Sequence, residues 1–142
     1  MPTDYRIHRD RQLVISRAYG ILTYAEACAH RRVMASDPGF DPTYAELLDG
    51  REIDRVEMSA EELSELAARS LFQPDARRAF VSHKPSVFGL FRMYEAYRVS
   101  AGDTAIGVFP RIDEALDWLG VTGGEAHAGA GLPAGSPSQG PE

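Results

Sequence analysis

The sequence predicts an α/β domain with a mixed, mainly parallel sheet covered by helices. Short runs rich in β-branched and aromatic residues alternate with segments whose apolar residues recur at helical spacing, which favours parallel pairing through right-handed crossovers. The first two runs are too close together for a crossover and predict an antiparallel hairpin. With 44% hydrophobic and 25% charged residues, the composition is typical of a globular protein. The predicted element order is β-β-α-β-α-β-α-β-α.

The hairpin is predicted from residues 5–9 and 13–19, which the polar string Asp10-Arg11-Gln12 separates. A first helix follows, because Thr23-Tyr24-Ala25-Glu26 has the form of a capping box, and we expect it to end near Ala35. Two prolines and a glycine in residues 37–42 then reverse the chain.

Helical spacing predicts which side of this first helix is buried. The expected inward stripe consists of small or apolar residues, with Cys28 beside it: Leu22, Ala25, Ala29 and Val33. The cluster of His30, Arg31 and Arg32 is then expected on the solvated outer face, where it would suit an acidic partner.

Three more strand and helix pairs complete the predicted domain. Residues 44–49, 78–82 and 104–109 are the expected strands, and a second capping box, Ser59-Ala60-Glu61-Glu62, opens the second helix. The apolar residues at helical spacing in the last three helices are Leu63, Leu66, Ala67 and Leu71, then Val87, Leu90, Phe91 and Tyr94, then Ile112, Ala115, Leu116 and Leu119. Gly120 is placed to end the last helix in a left-handed conformation.

A change of composition near Val121 predicts the domain boundary. Residues 1–120 form the expected domain, and residues 121–142 are rich in Gly and Pro and lack aromatic residues, which predicts a disordered tail. A glycine-rich string in this tail resembles a phosphate-binding loop, but no predicted strand and helix flank it.

Charge and residue usage exclude several classes of partner. The net charge is −6 and the cationic residues form no stripe, so we expect no binding to nucleic acid. No apolar stretch is long enough for a transmembrane segment, and a single cysteine, Cys28, permits no internal disulfide. These features favour a cytoplasmic protein. The four histidines lack metal-ligand spacing, and no cofactor motif is present, so we expect neither a metal nor a cofactor.

Four local strings, together with the element order, carry a resemblance to a known family. They are Gly20-Ile21-Leu22-Thr23, Leu47-Leu48-Asp49, Val87-Phe88-Gly89-Leu90-Phe91-Arg92-Met93-Tyr94 and Ala115-Leu116-Asp117-Trp118-Leu119. Residues 1–120 thereby resemble STAS-like domains of the bacterial SpoIIAA-like group, whose fold is similar to that of CRAL-TRIO lipid-exchange domains. The strings contain packing and turn residues rather than a catalytic signature, so the resemblance concerns the fold more than the function.

The resemblance implies a regulatory site at the start of the second helix. In phosphorylated family members a serine at this place accepts phosphate from a partner kinase, and Ser59 is its counterpart by position. The family string is of the Asp-Ser-Ser-Gly type, whereas this chain has Met58-Ser59-Ala60-Glu61. Ser59 is therefore predicted chiefly as a helix cap, with phosphorylation as the alternative.

A ligand-binding crevice is predicted where parallel strands end, because ligands bind beyond the carboxyl ends of such strands. Its candidate residues are Asp49, Arg51, His83, Lys84 and Arg111. One carboxylate, one imidazole and three cations would suit an anion or a polar metabolite. The alternative is that Asp49 binds a neighbouring backbone N–H and that the cations are solvated.

The third helix carries more large apolar residues than one buried face requires. Core packing, an apolar pocket and a subunit interface are all compatible with this surplus. The residues concerned are Phe88, Phe91, Met93, Tyr94 and Tyr97.

Four functional hypotheses follow. The first is a non-catalytic STAS-like regulatory module that binds a protein partner or itself, as a homodimer. The second is a carrier or sensor that encloses a small apolar or amphipathic ligand between the third helix and the sheet. The third is a phosphoryl-regulated switch at Ser59, and the fourth is an enzyme that uses His83 with Asp49.

Overall fold

The computed structural model describes residues 3–121 of the 142-residue chain. The strands are β1 (Thr3–His8), β2 (Leu13–Thr23), β3 (Ala45–Glu57), β4 (Arg78–Val81) and β5 (Ile106–Phe109). The helices are α1 (Tyr24–Ala35), α2 (Ala60–Ala67), α3 (Pro85–Ser100) and α4 (Ile112–Leu119), and a short 3₁₀ turn, Arg9–Arg11, joins β1 to β2. The predicted α/β class and element order are confirmed. The predicted tail lies, apart from Val121, outside the described residues.

The five strands form one sheet in the order β1-β2-β3-β4-β5. β1 pairs with β2 in antiparallel orientation, as the hairpin prediction requires, and β2, β3, β4 and β5 are parallel neighbours. Each parallel pair is joined through a helix, so the chain advances across the sheet by one strand at each crossover.

The helices cover the sheet unequally. α1 packs against β1 and β2, α3 packs against β3 and β5, and α2 packs on α1 and α3. α4 lies on the opposite face, where Ala115 and Leu116 join Leu47, Ala79 and Val81 in a separate core cluster. The core between the sheet and the first three helices contains Phe80 of β4 with Phe91 and Tyr94 of α3.

The central strand is longer than predicted. Residues 44–49 were expected, whereas β3 continues beyond Asp49 to Glu57 and pairs with the end of β2, which also runs beyond its predicted end, to Thr23. Gly20 in β2 has a φ of 68°, close to one of the register shifts in this ladder. Asp49 therefore marks the end of pairing with β4, where it lies opposite Val81, and not the end of the strand.

A glycine in β3 makes room for α3. A Cβ atom at Gly50 would lie 2.8 Å from Cζ of Phe91 and 3.1 Å from Cδ1 of Ile53. Such distances are shorter than van der Waals contact, so the close approach of the Phe91 ring to the backbone of β3 requires glycine here.

The inward face of α1 differs from the prediction. Val33, expected in the buried stripe, is 54% exposed, Ala25 is also exposed, and Cys28 is half-buried. Met34 is instead fully buried, in a cluster with Val14 of β2 and Phe72. The capping box at Thr23 forms as predicted, with Thr23 Oγ1 accepting from the backbone N–H of Glu26, but the helix is rotated so that a more polar side faces the sheet.

Candidate functional site

A cavity of about 120 Å³ lies between the sheet and the helices α1, α2 and α3. Its walls are mostly apolar and come from β3, the segment that follows it, and the two later helices. The main apolar lining residues are Leu48, Val56, Met58, Leu63, Leu66, Leu90 and Phe91. An apolar cavity of about 150 Å³ in an engineered protein binds benzene, and the cavity here is of the same order but smaller, which suits only a small ligand.

A buried polar network also lines the cavity. Glu46 Oε1 accepts from Arg78 Nε at 3.2 Å, and Glu46 Oε2 accepts from Ser16 Oγ at 3.1 Å. Arg78 Nη1 donates to the Tyr94 hydroxyl at 3.4 Å, and Nε2 of His30 lies 3.3 Å from Ser16 Oγ. We call these five residues the polar floor; all five line the cavity.

The polar floor is electrically balanced. Glu46 and Arg78 are buried and form an ion pair, with 3.1 Å between Nη2 and Oε1. Burial lowers the pKa of His30 below its ordinary value of 6.5, against the opposing pull of Glu46 and Asp4, so its imidazole is neutral at neutral pH. The polar floor itself therefore carries no net charge, while Arg17 and Arg31 add cationic groups elsewhere in the lining.

The prediction for the basic cluster His30, Arg31 and Arg32 on α1 is wrong for its first two residues. They were expected on a solvated outer face, but both are half-buried and line the cavity, and of the three cluster residues only Arg32 is exposed. The spacing of Ala27, His30, Arg31 and Met34 is itself helical. A prediction that counted only apolar residues could not find this stripe, because two of its four members are polar.

The seam between α1 and α2 borders the cavity. The Tyr24 hydroxyl donates to Glu65 Oε1 of α2 at 3.1 Å, and Arg31 Nη1 donates at 3.1 Å to the backbone oxygen of Arg69, just after α2. Hydrogen bonds to Cys28 and then to Glu65 raise the pKa of Tyr24 to about 12. Between the two hydrogen bonds lies Ala27, which is only partly buried and lines the cavity.

The residues predicted for the strand-end crevice lie elsewhere. Asp49 Oδ1 and Oδ2 accept from Arg51 Nε and Nη2, both at 2.9 Å, and Oδ1 also accepts from the Arg51 backbone N–H at 3.1 Å. Lys84 Nζ donates to the backbone oxygen of Asp54. None of Asp49, Arg51, His83, Lys84 and Arg111 lines the cavity.

The strands β4 and β5 end at the same level, since Val81 lies opposite Phe109. Asp49, the last residue of β3 that pairs with β4, lies opposite Val81 at that level. The loops that carry the crevice candidates therefore leave the same edge of the sheet. Arg111, however, is paired with Asp113 at 2.6 Å, and His83 is exposed. The charges at this edge are thus mostly engaged by close neighbours in sequence.

The large apolar residues of α3 divide into two groups. Phe91 and Tyr94 are buried and line the cavity, and the Phe80 ring packs against both of theirs. Met93 and Tyr97 are 42% and 38% exposed, one helical turn apart. Phe88 is half-buried.

Ser59 caps α2. Its Oγ accepts from the backbone N–H of Glu62 at 3.0 Å, and Glu62 Oε1 accepts from the backbone N–H of Ser59 at 3.0 Å. This reciprocal pair is the capping box that the sequence predicts. Ser59 is exposed, and its phosphorylation stays a prediction.

In comparisons with known proteins, no family model and no curated sequence matches this chain. Within residues 3–121, no helix has the length and apolar character needed to cross a membrane. The same part of the chain contains no group of three or more His, Cys, Asp or Glu side chains placed to hold a metal ion.

Proposed function

We propose that the protein is a non-catalytic STAS-like binding module that carries or senses a small amphipathic molecule in the cavity between its sheet and its first three helices. The observation that supports this proposal is a cavity with apolar walls and a polar floor. Protein interiors are normally close-packed, and a space of this size leaves its lining without van der Waals partners. An amphipathic ligand would restore those contacts and hydrogen bond to the polar floor.

The experiment that tests ligand binding uses a matched pair of substitutions on α1. Ala27 lines the cavity, whereas Ala25 is exposed on the same helix. We expect Ala27→Leu to fill the cavity and Ala25→Leu to leave it open, with the same change in helix propensity. Toluene serves as the probe, and its binding is followed by chemical-shift changes of backbone amides.

Toluene should shift the amides of the cavity lining in the wild type and in Ala25→Leu, and not in Ala27→Leu. A native mass that exceeds the denatured mass would reveal a ligand retained from the cell. We expect this extra mass to be absent from Ala27→Leu. If saturating toluene shifts no amide in the wild type and no extra mass is retained, the cavity is not a binding site.

A second candidate function is recognition of a protein partner or self-association through the outer side of α3. The exposure of Met93 and Tyr97 on that side favours it, because Met and Tyr are adaptable contact residues. Met93→Asp and Tyr97→Asp should weaken association without unfolding the protein. Sedimentation velocity measures this effect, and identical sedimentation of the wild type and both variants over a concentration series would exclude self-association through this face.

A further inference from the structure

The charges around the cavity indicate a class of ligand, an inference that rests on the proposed function. With His30 neutral, the charged residues of the lining are Arg17, Arg31, Glu46 and Arg78. The lining thus contains three cations and one carboxylate, although the net charge of the whole chain is −6.

Two of the three cations are neutralised by carboxylates of the protein. Arg78 forms its ion pair with Glu46, which is itself part of the lining. Arg17 forms ion pairs with Asp4 and Glu52, at 3.3 and 3.4 Å, and neither of these carboxylates lines the cavity. The charges of Arg17 and Arg78 are therefore already balanced before a ligand binds.

Arg31 is the remaining cation of the lining. Among the ion pairs within residues 3–121, none includes Arg31, and its side chain makes one hydrogen bond there, from Nη1 to the backbone oxygen of Arg69. Glu65, the carboxylate at the seam between α1 and α2, accepts from the Tyr24 hydroxyl and does not line the cavity. A guanidinium has five N–H donors, so four of those of Arg31 remain for a ligand or for water.

Arg31 shares the cavity with apolar residues of α2. It is half-buried, and Leu63 and Leu66 line the same space of about 120 Å³. A ligand with an apolar body beside these leucines can place an anionic group against Arg31, where that group keeps part of its hydration. Against the polar floor the same group would meet the carboxylate of Glu46, so Arg31 is the favoured position.

We propose that the cavity binds a small amphipathic carboxylate, whose apolar body fills the cavity and whose carboxylate pairs with the Arg31 guanidinium. The planar guanidinium matches a carboxylate through two parallel hydrogen bonds. One carboxylate also balances the single charge of Arg31. A neutral head group gains only a weaker hydrogen bond from the same donors, and a cationic head group is repelled.

The test compares four probes of nearly equal size: benzoate, its neutral counterpart benzamide, toluene and benzylammonium. Dissociation constants are measured at neutral pH by amide chemical-shift titration of the full chain. A hydrogen bond to a charged group exceeds one to a neutral group by roughly fivefold to tenfold in affinity. We expect benzoate to bind at least about fivefold more tightly than benzamide, and benzylammonium to bind more weakly than both. Toluene reports whether the cavity binds ligands at all.

A matched pair of variants on α1 locates the carboxylate. Arg31→Gln removes the unpaired cation of the lining, whereas Arg32→Gln removes the same charge from the exposed residue beside it. The ratio of benzoate to benzamide affinity should fall at least about fivefold in Arg31→Gln and stay within about twofold of the wild type in Arg32→Gln. Toluene affinity should be unchanged in both variants. If it falls together with that of benzoate in Arg31→Gln, Arg31 shapes the cavity and does not hold the carboxylate.

A measurement on the unmodified chain covers the case in which Arg31→Gln does not fold. Raising the NaCl concentration from about 0.05 M to about 0.5 M screens a charge that solvent can reach, so the ratio of benzoate to benzamide affinity should fall about twofold or more. A ratio that does not change with salt would contradict an ion pair at Arg31.

The outcomes separate this inference from the function on which it rests. If benzamide binds as tightly as benzoate to the wild type, or if benzylammonium binds more tightly, the carboxylate assignment is wrong. The assignment to Arg31 is also wrong if Arg31→Gln keeps the wild-type ratio or if Arg32→Gln loses it equally. In each of these cases toluene binding would still support the carrier function. If none of the four probes binds, the proposed function itself fails.

Discussion

Arg78 of β4 and Glu46 of β3 lie directly opposite each other in the parallel ladder and form an ion pair whose side chains are only 8% and 4% exposed. The Arg78 guanidinium also lies over the rings of Phe72, Phe80 and Tyr94, at 4.7 to 5.7 Å from their centroids. The pair thus brings charge into the aromatic core without leaving a net charge there, and it orients the groups that face the cavity.

Removing one member of the ion pair should lower the unfolding free energy more than replacing both members. Glu46→Met and Arg78→Met each leave one buried charge without its partner, which typically costs about 3–5 kcal/mol of unfolding free energy. The double variant leaves neither charge and should be clearly more stable than either single variant. Urea denaturation of all four proteins measures the coupling, and strictly additive losses would contradict it.

Stability should depend on pH through His30. Burial lowers the pKa of His30 in the folded protein below its ordinary 6.5, although Glu46 and Asp4 oppose this shift and Arg31 adds to it. The unfolded chain consequently binds more protons at acidic pH, so the His30 contribution is lost as the pH falls below about 6.5. Well above that value, at about pH 8, the imidazole is neutral in both states and the contribution is constant.

The His30→Gln variant is the control for this effect. It has no titrating group at this position, so its unfolding free energy should fall less than that of the wild type between about pH 8 and about pH 5. Denaturation curves at both pH values give the two differences. Equal pH dependence in the two proteins would show that His30 is not the responsible group.

Gly50 and Gly89 offer a matched comparison of two glycine-to-alanine substitutions. At Gly50 an added Cβ meets Phe91, and overpacking of this kind typically costs about 1–3 kcal/mol. At Gly89, within α3, an added Cβ meets nothing within 4 Å, so alanine should stabilise the helix by about 0.5–1 kcal/mol. Thermal denaturation measures both changes.

The cause of the Gly50→Ala loss can be checked with Phe91→Leu, which removes the ring that the Cβ would meet. The double variant should recover part of the stability that Gly50→Ala loses. If Gly50→Ala were as stable as the wild type, the packing of Phe91 against β3 would not require glycine at position 50.

The capping box of α2 should be sensitive to the side chain at Ser59. Ser59→Ala removes the acceptor for the Glu62 backbone N–H and should lower the unfolding free energy by about 1 kcal/mol. Ser59→Asp supplies another acceptor at the same place and should retain most of the stability. Chemical denaturation distinguishes the two variants, and equal stability of Ser59→Ala and the wild type would argue against the cap.

The fold was predictable because its signals are local. The capping boxes at Thr23 and Ser59, the hairpin spacing and the apolar periodicity of α3 each predict an element that the structure contains. The extension of β3 beyond Asp49 was not predictable, since residues 50–57 are rich in charge and gain their strand conformation from pairing with β2.

The polar floor could not be predicted from local sequence signals. Ser16, Glu46 and Arg78 lie within predicted strands, but only tertiary packing decides that they share one face and that His30 of α1 lies above them. Polar residues in an inward position resemble surface residues when they are judged by composition alone. The cavity depends on these non-local contacts and therefore has no sequence signature of its own.

The position of α2 has a kinetic consequence. This eight-residue helix rests on α1 and α3, and its last turn is held by Arg98 Nη1, which donates to the backbone oxygen of Ala67 at 2.8 Å. We expect its amide protons to exchange with solvent through local opening, well before those of the central strands, which require global unfolding. Each such opening would remove Leu63 and Leu66 from the cavity lining, so the wall formed by α2 should be the least persistent part of the cavity.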